Sequence, residues 1–199
     1  MDKQEIVLAS NNPGKVKEVN ELLANTGFHI LPQSEFDVVE AEETGLTFVE
    51  NAILKARNAA RYTNHPVIAD DSGIEVISLK GRPGIYSARY AGEGASDEDN
   101  LQKLLDALKD TPDAERGARF QCLMVYMLHA TDPTPRIVQG TWDGYILREP
   151  HGDNGFGYDP VFHVPEKDCS SAELEPDVKN RLSHRGQALS QLIELLRRA

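Results

Sequence analysis

The apolar positions change period within the first thirty residues. Ile6-Val7-Leu8-Ala9 is a continuous apolar run, the pattern of a buried strand, whereas Val16, Val19, Leu22 and Leu23 recur at helical spacing. Ser10 to Lys15 is therefore a strand-to-helix junction. A second strand is expected over residues 29–32. Thr47 and Glu50 have capping-box spacing, and Phe48, Ala52, Ala56, Ala59 and Ala60 then share one face of a helix ending near Thr63. Residues 66–69 predict a short strand that runs into Asp70, Asp71 and a turn at Ser72-Gly73, with another strand over 75–79.

Residues 81–94 form a glycine-rich excursion carrying Tyr86, Arg89 and Tyr90, and 96–108 read as a helix. Two long strands follow at 120–128 and 136–147. A loop rich in glycine, histidine and aspartate covers 149–160, then a short strand 161–164. Leu189, Leu192, Ile193 and Leu196 mark a last amphipathic helix after Ser183, a residue suited to an N-cap. This order predicts an α/β fold: one elongated mixed β-sheet flanked by helices, arranged as two lobes with a central substrate groove.

A chain of 199 residues fits one domain with a substantial core, and 40% hydrophobic with 27% charged residues is ordinary for a globular protein. The formal charge of −11 disfavours broad adhesion to nucleic acid or an anionic membrane. A polyanionic ligand would then need a local cluster of cations or a metal. Two cysteines, Cys122 and Cys169, are too few for a disulfide framework, the first residues lack the apolar core of a signal peptide, and cytoplasmic location is the default. No stretch approaches the roughly 20 apolar residues of a membrane span.

Within that frame, four groups of residues carry candidate chemistry. The Ser10-Lys15 junction leaves backbone N–H groups at the positive end of a helix, and Gly14 lets an anion approach closely; Asn-Asn-Pro-Gly is equally good turn chemistry. It is no Walker loop, since Ala9 and Val16 occupy the positions of its first glycine and its hydroxyl. Asp70 and Asp71 at a strand end suit magnesium or general-base work, or a surface turn; Glu40, Glu42 and Glu43 form a second acidic cluster or a solvated face.

Phe156, Gly157, Tyr158 and Asp159 combine aromatic faces with an acceptor for a planar base, or plug the core beneath a loop. Lys179, Arg181, His184 and Arg185 bring late cations that could donate to a base carbonyl or phosphate, or solvate a helix end. Arg89 between two tyrosines divides in the same way between phosphate binding and packing. Cys122, inside an apolar run, reads as a buried inert thiol.

Ser10-Asn-Asn-Pro-Gly-Lys15, Glu42-Glu-Thr-Gly-Leu-Thr-Phe-Val-Glu-Asn-Ala52, Ala69-Asp-Asp-Ser-Gly73, Pro83-Gly-Ile-Tyr-Ser-Ala-Arg89, Gly155-Phe-Gly-Tyr-Asp-Pro160 and Ser183-His-Arg-Gly186, in that order, closely resemble the Ham1-like inosine triphosphate pyrophosphatases. The resemblance runs from residue 6 to about 196 and implies a single Maf/Ham1-like domain over 1–199. It also implies a homodimeric enzyme hydrolysing the non-canonical purine triphosphates ITP, dITP and XTP to the monophosphate and pyrophosphate.

By matching positions, the resemblance makes Asp71 general base and metal ligand and Glu42 a second ligand for magnesium. It makes Ser10, Asn11, Asn12, Pro13, Gly14 and Lys15 the triphosphate cradle. Ser72, Phe156, Gly157, Tyr158, Asp159, Lys179, His184 and Arg185 complete substrate binding. The competing classes are a magnesium phosphohydrolase releasing inorganic phosphate and a nucleotide-sensing or RNA-binding module.

Overall fold

The computed structural model describes residues 4–23 and 26–197. Elements run β1 (Gln4–Leu8), α1 (Pro13–Leu23), β2 (Phe28–Pro32), α2 (Phe48–Thr63), β3 (Val67–Val76), α3 (Asp97–Ala107), β4 (Gly117–Met127), β5 (Arg136–Ile146), β6 (Phe162–Val164), β7 (Cys169–Ser170), α4 (Pro176–Leu182) and α5 (His184–Arg197). The seven-stranded sheet has the order β2-β1-β3-β4-β5-β6-β7. β1 pairs in parallel with β2 and β3, each reached through a helical crossover, as parallel neighbours require. β5–β6 and β6–β7 are antiparallel. The sheet is thus mixed and flanked by helices, as the sequence pattern predicts.

Two compact units divide the chain. The first takes the described residues up to Asp71, Cys122–Gly140 and those from Arg185 onward. Its sheet is covered on both faces, which explains the unbroken apolar run of β1. Ile6 and Leu8 join a cluster with Val19, Ile68, Met124, Leu189 and Leu192, while Val7 and Ala9 join another with Ala52, Ala56, Ala59, Val67 and Val125. α1 and α5 therefore pack on one side and α2 on the other, each alternate β1 residue feeding a different core.

α2 begins as its sequence dictates. The Thr47 hydroxyl accepts from the Glu50 N–H at 3.3 Å, and the Glu50 carboxylate reaches back to the Leu46 N–H at 2.9 Å. The helix stops at Asn64, in the left-handed region at φ 53°.

The second unit comprises Ser72–Gln121 and Thr141–His184. Its core joins Ile74 and Val76 to Leu101, Leu104, Phe120, Trp142, Phe162 and Val164. Buried Arg116 is spent on structure here: its guanidinium donates to the carbonyls of Leu108 at 2.7 Å, Ile146 at 2.8 Å and Leu147 at 2.7 Å.

One predicted boundary fails. Ser72-Gly73 is not a turn; β3 is a single strand of 10 residues, and Asp70 and Asp71 lie inside it. The reason is that Ile74 and Val76 have their own core to enter, which keeps the backbone extended. The strand-end logic moves to the neighbour instead: β1 is in register with β3 only at Val7↔Val67 and Leu8↔Ile68 and then ends. α4 and β7, at 7 and 2 residues, are too short to show a period and were not foreseen.

Burial pushes the Cys122 thiol up to about 12, whereas Cys169 is only partly buried. At pH 8 a thiol reagent should label Cys169 and spare Cys122 in the native protein, and label both in denaturant. A raised folded value contributes stability that is present below the ordinary thiol range, about 8.5, and lost as pH rises toward the folded value. Native labelling of both thiols, followed by intact mass spectrometry, would contradict this burial.

Candidate functional site

The junction after β1 is built by its own side chains. Asn12 Oδ1 accepts from the Lys15 N–H at 3.1 Å, which caps α1, and Pro13 fills the first helical position, where a missing N–H costs nothing. Ser10 Oγ accepts from the Asn12 N–H at 3.2 Å. Asn11 is held at both ends, donating to Glu40 at 2.6 Å and accepting from Gln33 at 3.0 Å. This junction is a turn and a capped helix start with Gly14 in its first turn.

Lys15 leaves that start and meets Asp70. Its Nζ lies 2.8 Å from Asp70 Oδ2, with the Asp70 side chain 1% exposed. Arg185, at the start of α5, approaches the same oxygen at 3.6 Å and also pairs with Glu18 of α1. Burial by itself would raise the Asp70 carboxyl, but Lys15, Arg185 and Lys55 outweigh it and hold Asp70 well below the usual carboxylate range. Asp70 is thus a fixed buried anion to which two cations are tied.

Asp71, on the opposite face of β3, has a different setting. Lys55 Nζ lies 2.7 Å from Asp71 Oδ1 and 3.1 Å from Glu43 Oε1, and Asn51 Nδ2 is 3.4 Å from Asp71 Oδ2. Burial raises Asp71 above its ordinary value despite the pull of Lys55 toward the anion. Burial opposes the Lys55 charge, and Asp71, Asp70 and Glu43 more than offset it, so Lys55 stays an ammonium. Adjacent residues thereby acquire opposite proton affinities, the usual sign of a division of labour between two acids.

Of the two glutamates, the structure brings Glu43 to the Lys55–Asp71 pair, while Glu42 is exposed. Asn51 and Lys55 were missed in the sequence. Their signal was their spacing, four apart on α2 beside the alanine face. In the structure Asn51 is wholly buried, and its Oδ1 also accepts from the Gly45 N–H at 2.8 Å.

A second constellation lies in the second unit and centres on Asp159. Its Oδ2 accepts from Lys179 Nζ at 2.7 Å and from the Phe156 N–H at 2.9 Å, and its Oδ1 accepts from Ser171 Oγ at 2.7 Å. Lys179 stands over the Phe156 ring, 5.0 Å from its centroid. Asp159 therefore orders its own loop and Lys179. Gly157 donates to Asp97 Oδ2 at 2.8 Å, and the Tyr158 hydroxyl donates to the Ser87 carbonyl at 2.7 Å from a ring buried in the core. Tyr158 takes the core-plug role and half-buried Phe156 the surface one.

Gly155 has φ +82°, and a Cβ there would come within 2.1 Å of Asp159 Oδ2. Gly155→Ala should therefore break the Asp159–Lys179 pairing and lower thermal stability, by about 1–3 kcal/mol. A melt within 1 kcal/mol of the parent would show that the loop relaxes around the methyl group, since about 1 kcal/mol is the least such strain costs.

His184 stacks on Phe120 at 4.7 Å and 9°. Ser72 follows Asp71 in β3. Of two further candidate cations, Arg89 lies over the Tyr86 ring at 5.3 Å and pairs with Glu93, and exposed Arg181 pairs with Asp177 at 3.7 Å.

The Ham1 family model matches residues 6–195. The chain is 61% identical over 193 residues to a dITP/XTP pyrophosphatase of Vibrio cholerae, which spans 97% of this chain and 96% of that protein. Among solved structures, the HAM1 protein of Coxiella burnetii superposes with a TM-score of 0.91 at 51% identity, covering 98% of this chain and 100% of that one. The Ham1 protein of Staphylococcus aureus gives 0.85 at 45% identity, covering 98% of each. A match in sequence and in backbone over nearly the full length, through both the Asp70–Asp71 and the Asp159–Lys179 constellations, leaves one assignment: the chain belongs to the Ham1 family.

Proposed function

We propose that this protein hydrolyses the non-canonical purine triphosphates ITP, dITP and XTP to nucleoside monophosphate and pyrophosphate, clearing deaminated purines from the nucleotide pool. The observation that carries this reading is the grouping in one unit of a buried carboxylate, Asp71, a lysine bridging it to Glu43, and a capped helix start whose lysine is tied to Asp70. The 61% identity to a dITP/XTP pyrophosphatase over 97% of this chain supports the substrate class.

In this reading Asp71 takes the proton from a water whose oxygen attacks the α-phosphorus, and the bond to the β-phosphate oxygen breaks as pyrophosphate leaves. Ser10 to Lys15 bind phosphate oxygens through backbone N–H groups and the Lys15 ammonium, and Lys55 adds a second cation beside the base. In the second unit, Phe156 offers a face for the purine, Lys179, held by Asp159, offers a directed charge, and His184 donates to the base carbonyl, as does Arg185 of the first unit. Ser72, Gly157 and Tyr158 complete the binding set by position.

Among the described residues no three acidic, histidine or cysteine side chains group as a ready metal cage. That donor set still fits magnesium, which is commonly held by one or two carboxylates while substrate phosphates and water fill the remaining positions. Asp71 with Glu43, or with Glu42 as the motif implies, would hold it, and it would supply charge neutralisation on the phosphates. We further read the chain as one catalytic domain over 1–199 that works as a cytoplasmic homodimer.

Incubation with magnesium and ATP, GTP, ITP, dITP and XTP separately, with pyrophosphate and phosphate quantified apart, tests the reading. Pyrophosphate from ITP, dITP and XTP in large excess over ATP and GTP is expected. Phosphate as the product, or binding without turnover, would replace it with a phosphohydrolase or a sensing module.

A further inference from the structure

We infer that Phe120 is a specificity-determining positioning residue, which fixes the plane of the His184 imidazole and so the direction in which its ring N–H points. This rests on the reading that His184 recognises the purine carbonyl.

His184 opens α5 directly after the extended backbone of Ser183, a point where the chain leaves one helix and enters another. Its ring lies parallel to Phe120, with centroids 4.7 Å apart and planes 9° from coplanar. Phe120 cannot rock to follow a moving partner. It is wedged by Phe162 at 4.6 Å and 51° and by Trp142 at 6.4 Å and 27°, and those two rings meet each other at 5.2 Å and 51°. The three rings come from β4, β5 and β6, strands adjacent in the sheet, so the platform is anchored by backbone pairing as well as by packing.

The stack occupies a face of the imidazole, whereas ring nitrogens donate and accept in the ring plane. A fixed plane therefore means a fixed donor direction. Hydrogen bonds weaken steeply once the donor angle falls well below linear, so a rocking imidazole would satisfy a base with or without the carbonyl about equally poorly. Discrimination between a carbonyl and an amino group is what a held ring supplies and a loose one loses. Phe120 touches no substrate in this account; it acts through His184.

The test compares kcat/KM for ITP with that for ATP, since a general loss of stability lowers both and leaves their ratio alone. Phe120→Leu should cut the ITP preference by about three- to tenfold, the worth of one aromatic pair. Phe120→Tyr, which keeps the ring face, should restore most of it. Leu104→Ala, in the same core on α3, should lower the melting temperature without moving the ratio. In the His184→Ala background, Phe120→Leu should add nothing further.

If Phe120→Leu left the ratio unchanged while His184→Ala eroded it, the positioning role would be wrong and the base reading would stand. An unchanged ratio in His184→Ala would remove the base reading itself and this inference with it. Should Phe120→Leu not fold, Phe120→Met supplies the same ring deletion.

Discussion

Exchanging Asp71 for Asn is expected to leave the protein folded and to reduce pyrophosphate release from ITP by about a hundred- to ten-thousandfold, the range that loss of a general base produces. The two halves of this expectation have separate grounds. Asn has the shape of Asp but no basic oxygen, so a water beside it keeps its proton. The fold survives because Lys55, the cation that Asp71 holds at 2.7 Å, keeps Glu43 at 3.1 Å as a partner. Asn in place of a buried carboxylate also removes a desolvation cost that raises the Asp71 proton affinity. Stopped pyrophosphate assays on variant protein with a parent-like melt make the measurement. Turnover within threefold of the parent would remove Asp71 from the chemical step.

Asp70→Asn, one residue away, should behave in the opposite manner. Here the dominant loss is stability, about 3–5 kcal/mol, as for removing one member of a buried ion pair. The Asp70 side chain is 1% exposed, with Lys15 at 2.8 Å and Arg185 at 3.6 Å, and the Arg185 side chain is itself 3% exposed. Arg185 retains Glu18, but Asp70 is the one carboxylate paired with Lys15 among the described residues. At 2–4 °C per kcal/mol for a chain of this size, the melting temperature should fall by on the order of 10 °C. Release of Lys15 should raise KM for triphosphate as well. A melt unchanged to within a degree would show that the anion is not what holds these cations.

The contrast between neighbours follows from strand geometry. Successive side chains in β3 point to opposite faces, so Asp70 meets α1 and α5 residues while Asp71 meets α2 residues. Two identical side chains in sequence thereby acquire different partners, which suits Asp70 to anchoring cations and Asp71 to the base role proposed for it. The Asp-Asp pair was visible in the chain. Which of the two is the ion-paired anchor and which the proposed base depends on what lies across each face.

Much else was legible for local reasons. The unbroken run Ile6 to Ala9, the alanine face of α2 and its Thr47–Glu50 start depend on neighbours within a turn or a strand, and the structure reproduces them. The seat of Phe156 above the core and of Tyr158 within it was left open, because a glycine-rich loop carries no period to say which aromatic turns inward. The extension of β3 through Ser72-Gly73 was misread for a related reason: turn propensity is local, whereas the core that Ile74 and Val76 enter is assembled from segments up to a hundred residues away.

By itself, then, the order of residues determined most of the elements, the fold class and the family, since each rests on spacing along the chain and on short motifs in sequence. Tertiary structure decided the pairings: Lys55 with Asp71 and Glu43, Lys15 and Arg185 with Asp70, Lys179 with Asp159, and His184 with Phe120. An ion pair or a ring stack has no signature in one dimension, because its energy depends on a distance of a few ångströms between residues that lie 12 or more positions apart in the chain.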